Sequence, residues 1–144
     1  MGKEKLISFE KELEHLKTYL WLEQIRFGAA LNIEYDIEVS DFYVPSLSIQ
    51  PLVENAVNHG IRMKKGGGTI VIQTKELSGE YQIIISDDGT GYIVGTIPAD
   101  GRSHTGLENI KNRLQLICNG SCQIYSELGK GTTVIVHIPK GGMG

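Results

Sequence analysis

The chain has 144 residues, 40% of them hydrophobic, a length that suits one domain with a buried core. With 14 lysines and arginines against 17 aspartates and glutamates, the formal charge of −3 gives no net pull toward nucleic acid or an anionic membrane, so any bound phosphate must be held locally. No apolar run reaches the about 18 residues of a membrane span, and the start Met1-Gly-Lys-Glu-Lys5 lacks a signal-peptide core.

Leu6, Phe9, Leu13, Leu16 and Leu20 fall at spacings of three and four, which predicts a helix to Arg26 with Ser8 as its cap, Glu10 and Glu12 in its first turn and Gly28 as its stop. The stripe is expected to pack on the domain's own core rather than form a dimer seam, and its regularity also suits a longer helix entering from upstream. Leu31 to Val39 alternates apolar and polar without exception, the mark of a half-buried strand. A loop through Asp41 and Pro45 then leads to Ser46 or Ser48 as the cap of a second helix. Ile49, Leu52, Val53, Ala56 and Val57 give that helix a buried face, while Gln50, Glu54, Asn55 and Asn58 lie opposite, with His59 and Gly60 at its end. Two asparagines on one helix face suit ligation or specific hydrogen bonding, with a plain solvated face as the alternative.

After the basic, glycine-rich Lys64-Lys-Gly-Gly-Gly68, strands Thr69–Lys75 and Tyr81–Ser86 read as a hairpin through Ser78-Gly79. The second delivers Asp87-Asp-Gly-Thr-Gly91, a carboxylate and two glycines at the mouth of an apolar strand, which reads either as a nucleotide-facing corner or as an ordinary turn. Ile93 to Thr105 has no periodicity and the length of a mobile lid. A third helix from Gly106 turns Leu107, Ile110, Leu114 and Ile117 inward and closes near Asn119-Gly120. Cys122–Glu127 and Thr132–Ile138 form a second hairpin around Leu128-Gly-Lys-Gly131, and Pro139 ends the fold, leaving Met1-Gly2 and residues 141–144 as loose ends. This element order predicts an α/β two-layer sandwich, a sheet with helices on one face.

No P-loop, dinucleotide fingerprint or nucleophile elbow occurs, and the histidines at 15, 59, 104 and 137 show no ligand spacing. Cys118 and Cys122 lack zinc-site spacing and a second pair, and they read as reduced, structural thiols of a cytoplasmic domain.

Four segments remain: Gln50-Pro-Leu-Val-Glu-Asn-Ala-Val-Asn-His-Gly60, Asp87-Asp-Gly-Thr-Gly91, Thr105-Gly-Leu-Glu-Asn-Ile-Lys-Asn-Arg-Leu114 and Gly129-Lys-Gly-Thr132. In order and spacing they resemble the ATP-binding motifs of LytS/YesM-type sensor histidine kinases, within the gyrase, Hsp90, histidine kinase and MutL superfamily. Leu13 to Phe27, with Tyr19-Leu and Ile25-Arg-Phe27, also looks like that family's lead-in helix. The resemblance implies a Bergerat-type fold with a mixed, mostly antiparallel sheet. It implies a lead-in helix over 1–28 continuing from an upstream phosphoacceptor region, an ATP-binding catalytic domain over 29–140 and a loose tail over 141–144.

The resemblance also implies roles. Asn55 ligates Mg²⁺ beside the ATP phosphates, with Glu54 acting through water or holding the helix, a hard-oxygen chemistry that this ion prefers. Asn58 and His59 contact phosphate or ribose. Asp87 accepts the adenine amino hydrogen, Gly89 and Gly91 allow close approach, and Thr132 completes the adenine contact. The amides of Gly106 and Leu107 cradle phosphate at a helix start. The implied reaction passes the ATP γ-phosphoryl group to a histidine on the upstream helix, then to a response regulator receiver domain. The full-length kinase is expected to be a homodimer with a membrane anchor; this domain itself is expected to touch neither membrane nor nucleic acid.

Three positions depart from the pattern. Asp88 stands where asparagine is common, His104 where the lid often has glycine, and Pro51 where ATP-hydrolysing relatives carry a catalytic glutamate. Without that base, transfer to another acceptor is favoured over hydrolysis. His15 lacks the context of a phosphoacceptor and reads as a surface histidine on a helix flank. The rival readings are an ATPase or serine kinase of the same superfamily and a non-catalytic interaction module that keeps the fold.

Overall fold

The computed structural model describes residues 6–61, 66–90 and 105–140, without the side chains of 27, 29, 59–61 and 105–107. Residues 91–104, which hold Gly91, His104 and nearly all of the expected lid, lie outside the described residues, as do 62–65 and the two ends. Ser8 starts the first helix, as its sequence position predicts. Its hydroxyl accepts the Lys11 N–H at 3.2 Å, and helix α1 runs Phe9–Phe27 to Gly28, whose φ of +68° reverses the chain.

Leu6 does not join that helix. Strand β1 (Leu6–Ser8) pairs antiparallel with β3 (Tyr43–Pro45), inside the stretch expected to be loop. Three-residue strands are too short to show alternation, and Leu6 to Phe9 happens to match a helical spacing. The Phe9, Phe42 and Tyr81 rings stack at 5.0 and 4.6 Å between centroids, with the Lys140 ammonium 5.2 Å from the Tyr81 centroid, and this column ties the start of α1 to the sheet.

The main sheet contains β2 (Leu31–Ile37), β4 (Gly68–Glu76), β5 (Glu80–Asp87), β6 (Ser121–Glu127) and β7 (Gly131–Pro139), in the order β2-β4-β5-β7-β6. β2 and β4 are parallel because helix α2 (Gln50–Asn55) crosses between them; every other pair in this sheet is antiparallel. Ile70, Ile72, Ile83, Ile85, Val134 and Val136 form one buried sheet face. Against it lie Leu16 and Leu20 of α1, Leu52 and Val53 of α2, and Leu114 of helix α3 (Thr105–Cys118), all buried. The α1 stripe therefore packs inward, each fully buried aliphatic side chain contributing about 1.5–3 kcal/mol. Trp21, Leu22 and Ile25, on the other side of α1, are exposed. Among the described residues no helix is long and apolar enough to cross a membrane.

Cys118 and Cys122 are free and buried, and burial pushes both thiols up, Cys122 to about 11, so they stay protonated at neutral pH and suit a packing role. On the opposite sheet face His137 Nδ1 lies 2.6 Å from the Glu80 carboxylate, and Gln82 donates to the same oxygen at 2.8 Å. The His137 contact, aided by Gln82, holds the Glu80 carboxyl below its ordinary value. A carboxyl depressed by folding stabilises the fold above its ordinary value, about 4.3, and loses that contribution as pH falls through the lower folded value. Urea titrations from about pH 6 to about pH 3 should therefore show a steeper acid loss of stability in the parent chain than in His137→Asn; equal slopes would contradict this assignment.

Candidate functional site

Helix α2 and the strand ends of β5 and β7 assemble the site. Ile49, Leu52, Val53, Ala56 and Val57 are buried as their spacing predicts, which leaves Gln50, Glu54, Asn55 and Asn58 partly exposed. The α-helix ends at Asn55, and a turn of π-helix, Ala56–Ile61, continues from it across the buried face of β4, β5 and β7. Wider turns of this kind often mark functional helices. Asn58 and His59 lie in this π segment; the His59 side chain is outside the described residues. Gln50 donates its amide to the Glu54 carboxylate at 3.0 Å, one helical turn away. No hydrogen bond among the described residues engages the Asn55 carboxamide.

Neither Ser46 nor Ser48 caps this helix. Ile49 occupies the cap position without a side-chain hydrogen bond, and the Ser48 hydroxyl is buried without a partner. The cap comes from α1: Glu12, fully buried, accepts the backbone N–H groups of Leu47 at 3.2 Å, Ile49 at 3.0 Å and Gln50 at 3.3 Å. From α3, Arg113 donates to the Leu47 carbonyl at 3.2 Å and to that of Ser46. Glu12 lies three residues after Phe9 and four before Leu16, on the buried stripe, and that placement was the available sign that it is more than a first-turn acid.

Asp87 ends β5 and is 9% exposed; its carboxylate accepts the Gly89 N–H at 2.9 Å. Thr132 is its direct partner in β7, so the two residues share the helix-covered face. Ser126 Oγ lies 2.7 Å from Thr132 Oγ1 and donates to the Gly131 carbonyl at 3.2 Å. The tip of the β6–β7 hairpin closes on the corner: Gly129 N–H donates to Thr90 at 2.7 Å, and a Cβ on Gly131 would stand 2.0 Å from the Asp87 carbonyl oxygen. Asp88 is exposed and engaged, its Oδ1 accepting the Thr69 N–H at 2.8 Å, a bond that asparagine would also make. α3 opens at Thr105, so the Gly106 and Leu107 amides belong to its first turn. His15 is exposed, as expected.

The arrangement has a definite chemical meaning. An ionised carboxylate only accepts hydrogen bonds, so Asp87 is suited to an amino donor such as that of adenine. Among the described residues no cluster of three or more His, Cys, Asp or Glu could hold a metal by itself. A hard cation here would rely on an amide oxygen and on phosphate, a donor set that suits Mg²⁺.

A mixed sheet with helices on one face, and a carboxylate corner beside an asparagine-bearing helix, define a two-layer α/β sandwich with its candidate site at the strand ends. The histidine kinase-, DNA gyrase B-, and HSP90-like ATPase family matches residues 46–142, and the chain belongs to that family. It is 39% identical over 139 residues to the uncharacterized protein YwpD of Bacillus subtilis (strain 168), covering 91% of this chain and 50% of YwpD. It is 37% identical to the sensor histidine kinase YpdA of Escherichia coli (strain K12), covering 92% of this chain and 24% of YpdA. To the sensor histidine kinase/phosphatase LytS of Staphylococcus aureus (strain N315) it is 33% identical, covering 96% of this chain and 26% of LytS. The chain thus spans half or less of the length of these relatives. In fold it matches the nucleotide-free catalytic domain of histidine kinase ThkA with a TM-score of 0.70, at 13% identity, covering 96% of this chain and 97% of that one. ThkA in complex with the response regulator TrrA matches equally, with a TM-score of 0.70 at 14% identity, covering 95% of this chain and 42% of that one. The domain is therefore of the type found in sensor histidine kinases.

Gly131→Ala is expected to destabilise the chain by about 1–3 kcal/mol or more, because φ is +116° there and the new methyl meets the Asp87 backbone. An unchanged urea midpoint would contradict this account of the corner.

Proposed function

We propose that this chain is the catalytic ATP-binding domain of a sensor histidine kinase. It serves in-line transfer of the ATP γ-phosphoryl group to a histidine on an upstream phosphoacceptor helix, from which a response regulator receiver domain takes it. The observation that carries the reading is the Asp87–Thr132 pair, a nearly buried carboxylate beside a hydroxyl at the end of a central strand, with the Asn55 helix packed on the same face.

In this reading Asp87 accepts the adenine amino hydrogen while Gly89 and Gly91 let the base approach, and Thr132 completes the contact. Asn55 lends its side-chain oxygen to Mg²⁺, and Glu54 keeps the helix in place. Asn58 and His59 contact phosphate or ribose, and the Gly106 and Leu107 amides cradle phosphate with the help of the helix dipole. Mg²⁺, when bound, offsets the charge of the phosphates. The protein's own contribution is positioning. Pro51, in the first turn of α2, carries no base, which supports transfer over hydrolysis and weighs against the ATPase reading. The exposed Trp21, Leu22 and Ile25 of α1 support a helical partner for residues 1–28, either the phosphoacceptor region or the second subunit of a homodimer. The site is assigned to the cytoplasmic side of a membrane-anchored kinase.

Asp87→Asn, which faces an amino group with an amide, is expected to weaken ATP binding by about 10- to 100-fold, and Asn55→Asp to disturb its metal dependence. Unchanged ATP affinity in the Asp87 variant would sink the adenine assignment. Labelled ATP incubated with the chain and the matching upstream helix in trans should yield acid-labile phosphohistidine; steady-state hydrolysis without phosphohistidine would favour the ATPase.

A further inference from the structure

The backbone N–H groups from Leu47 into the first turn of α2 all have acceptors. Ser48 N–H donates to Pro45 at 3.2 Å, and Leu52 and Val53 donate to the Ile49 carbonyl at 3.0 and 3.2 Å. Pro51 has no N–H to place. The donors on Leu47, Ile49 and Gln50 all go to the two oxygens of Glu12. Leu47 is held at φ +59°, outside the ordinary range of a leucine, with its N–H on Glu12 and its carbonyl on Arg113. Two helices thus grip one turn with opposite polarities, α1 accepting the turn's N–H groups through Glu12 and α3 donating to the turn's carbonyls through Arg113.

We infer that Glu12 and Arg113 are positioning residues for the metal–phosphate end of the site: they set the height and rotation of α2, and hence of Asn55, relative to α1 and α3. The contacts end on backbone atoms of the turn, so a displacement of either helix reaches α2 through a single side chain, Glu12 from α1 or Arg113 from α3. α2 has only six residues of regular helix before the π turn, too few to hold its own geometry without this cap. Asp87 and Thr132 are fixed by strand pairing and do not depend on the grip. Adenine recognition and metal-dependent phosphate binding should therefore come apart when the grip is loosened. The inference rests on Asn55 being the metal-binding residue.

The test is a set of ADP titrations with and without Mg²⁺ on the parent chain, Glu12→Gln, Arg113→Lys and the exposed control Glu14→Gln, each checked for native circular dichroism. Glu12→Gln keeps the side-chain length but replaces one accepting oxygen with a donor. ADP affinity without metal should stay within about twofold of the parent, while the gain on adding Mg²⁺ should fall about 10- to 100-fold, the usual consequence of losing a residue that orients a metal ligand. Hydrogen exchange should quicken at the Leu47, Ile49 and Gln50 amides. Glu14→Gln should match the parent. A folded Glu12→Gln chain with the parental Mg²⁺ gain would overturn the inference alone, and if that variant does not fold, the same result in Arg113→Lys overturns it. A parent chain that binds ADP with no Mg²⁺ gain would instead overturn the Asn55 assignment, and the inference with it.

Discussion

The buried carboxylate of Glu12 is the interaction on which the placement of helix α2 depends. A fully buried charge is costly unless its acceptor capacity is filled, and Glu12 fills it with three backbone N–H groups at the start of a helix, where the dipole also favours a negative charge. Each buried amide left without an acceptor costs about 1–3 kcal/mol, so loss of this one side chain would strand most of the turn. Through it, helix α1, outside the matched family segment of 46–142, holds the start of the helix that carries Asn55.

The Asp87–Thr132 end of the site rests on different physics. Asp87 and Thr132 are placed by sheet register, and the corner after Asp87 is closed by the β6–β7 tip, where Gly131 leaves room that no Cβ would allow. Asp88 uses its carboxylate to fasten the corner to Thr69. One end of the site is therefore rigid through strand pairing, and the other is adjustable through a side-chain grip on a short helix.

Most elements were legible because their patterns run over many residues. The α1 stripe, the alternation of Leu31 to Ile37, and the buried face of α2 each repeat often enough to select one period. What escaped was short or long-range. β1 and β3 have three residues each, the π turn keeps Val57 on the same buried face that an α-helix would, and the parallel pairing of β2 with β4 depends on where the crossover lands. Ser46 and Ser48 had the right chemistry for a cap, but a carboxylate 35–38 residues away in sequence took the amides instead. Among the site residues, Asp87, Gly89 and Thr132 come together, and Asn55 and Asn58 lie on the helix packed over the same face. Ser126, Gly131 and Arg113 gained their roles only from tertiary contacts.

Calorimetric titration of the unaltered chain with ADP in the presence of Mg²⁺ tests the central claim most directly. The account predicts saturable heat from one site, weaker when Mg²⁺ is withheld and absent when a guanine nucleotide replaces ADP. No heat of binding, or equal heat from the guanine nucleotide, would contradict an adenine-reading ATP site and leave a fold kept for another purpose.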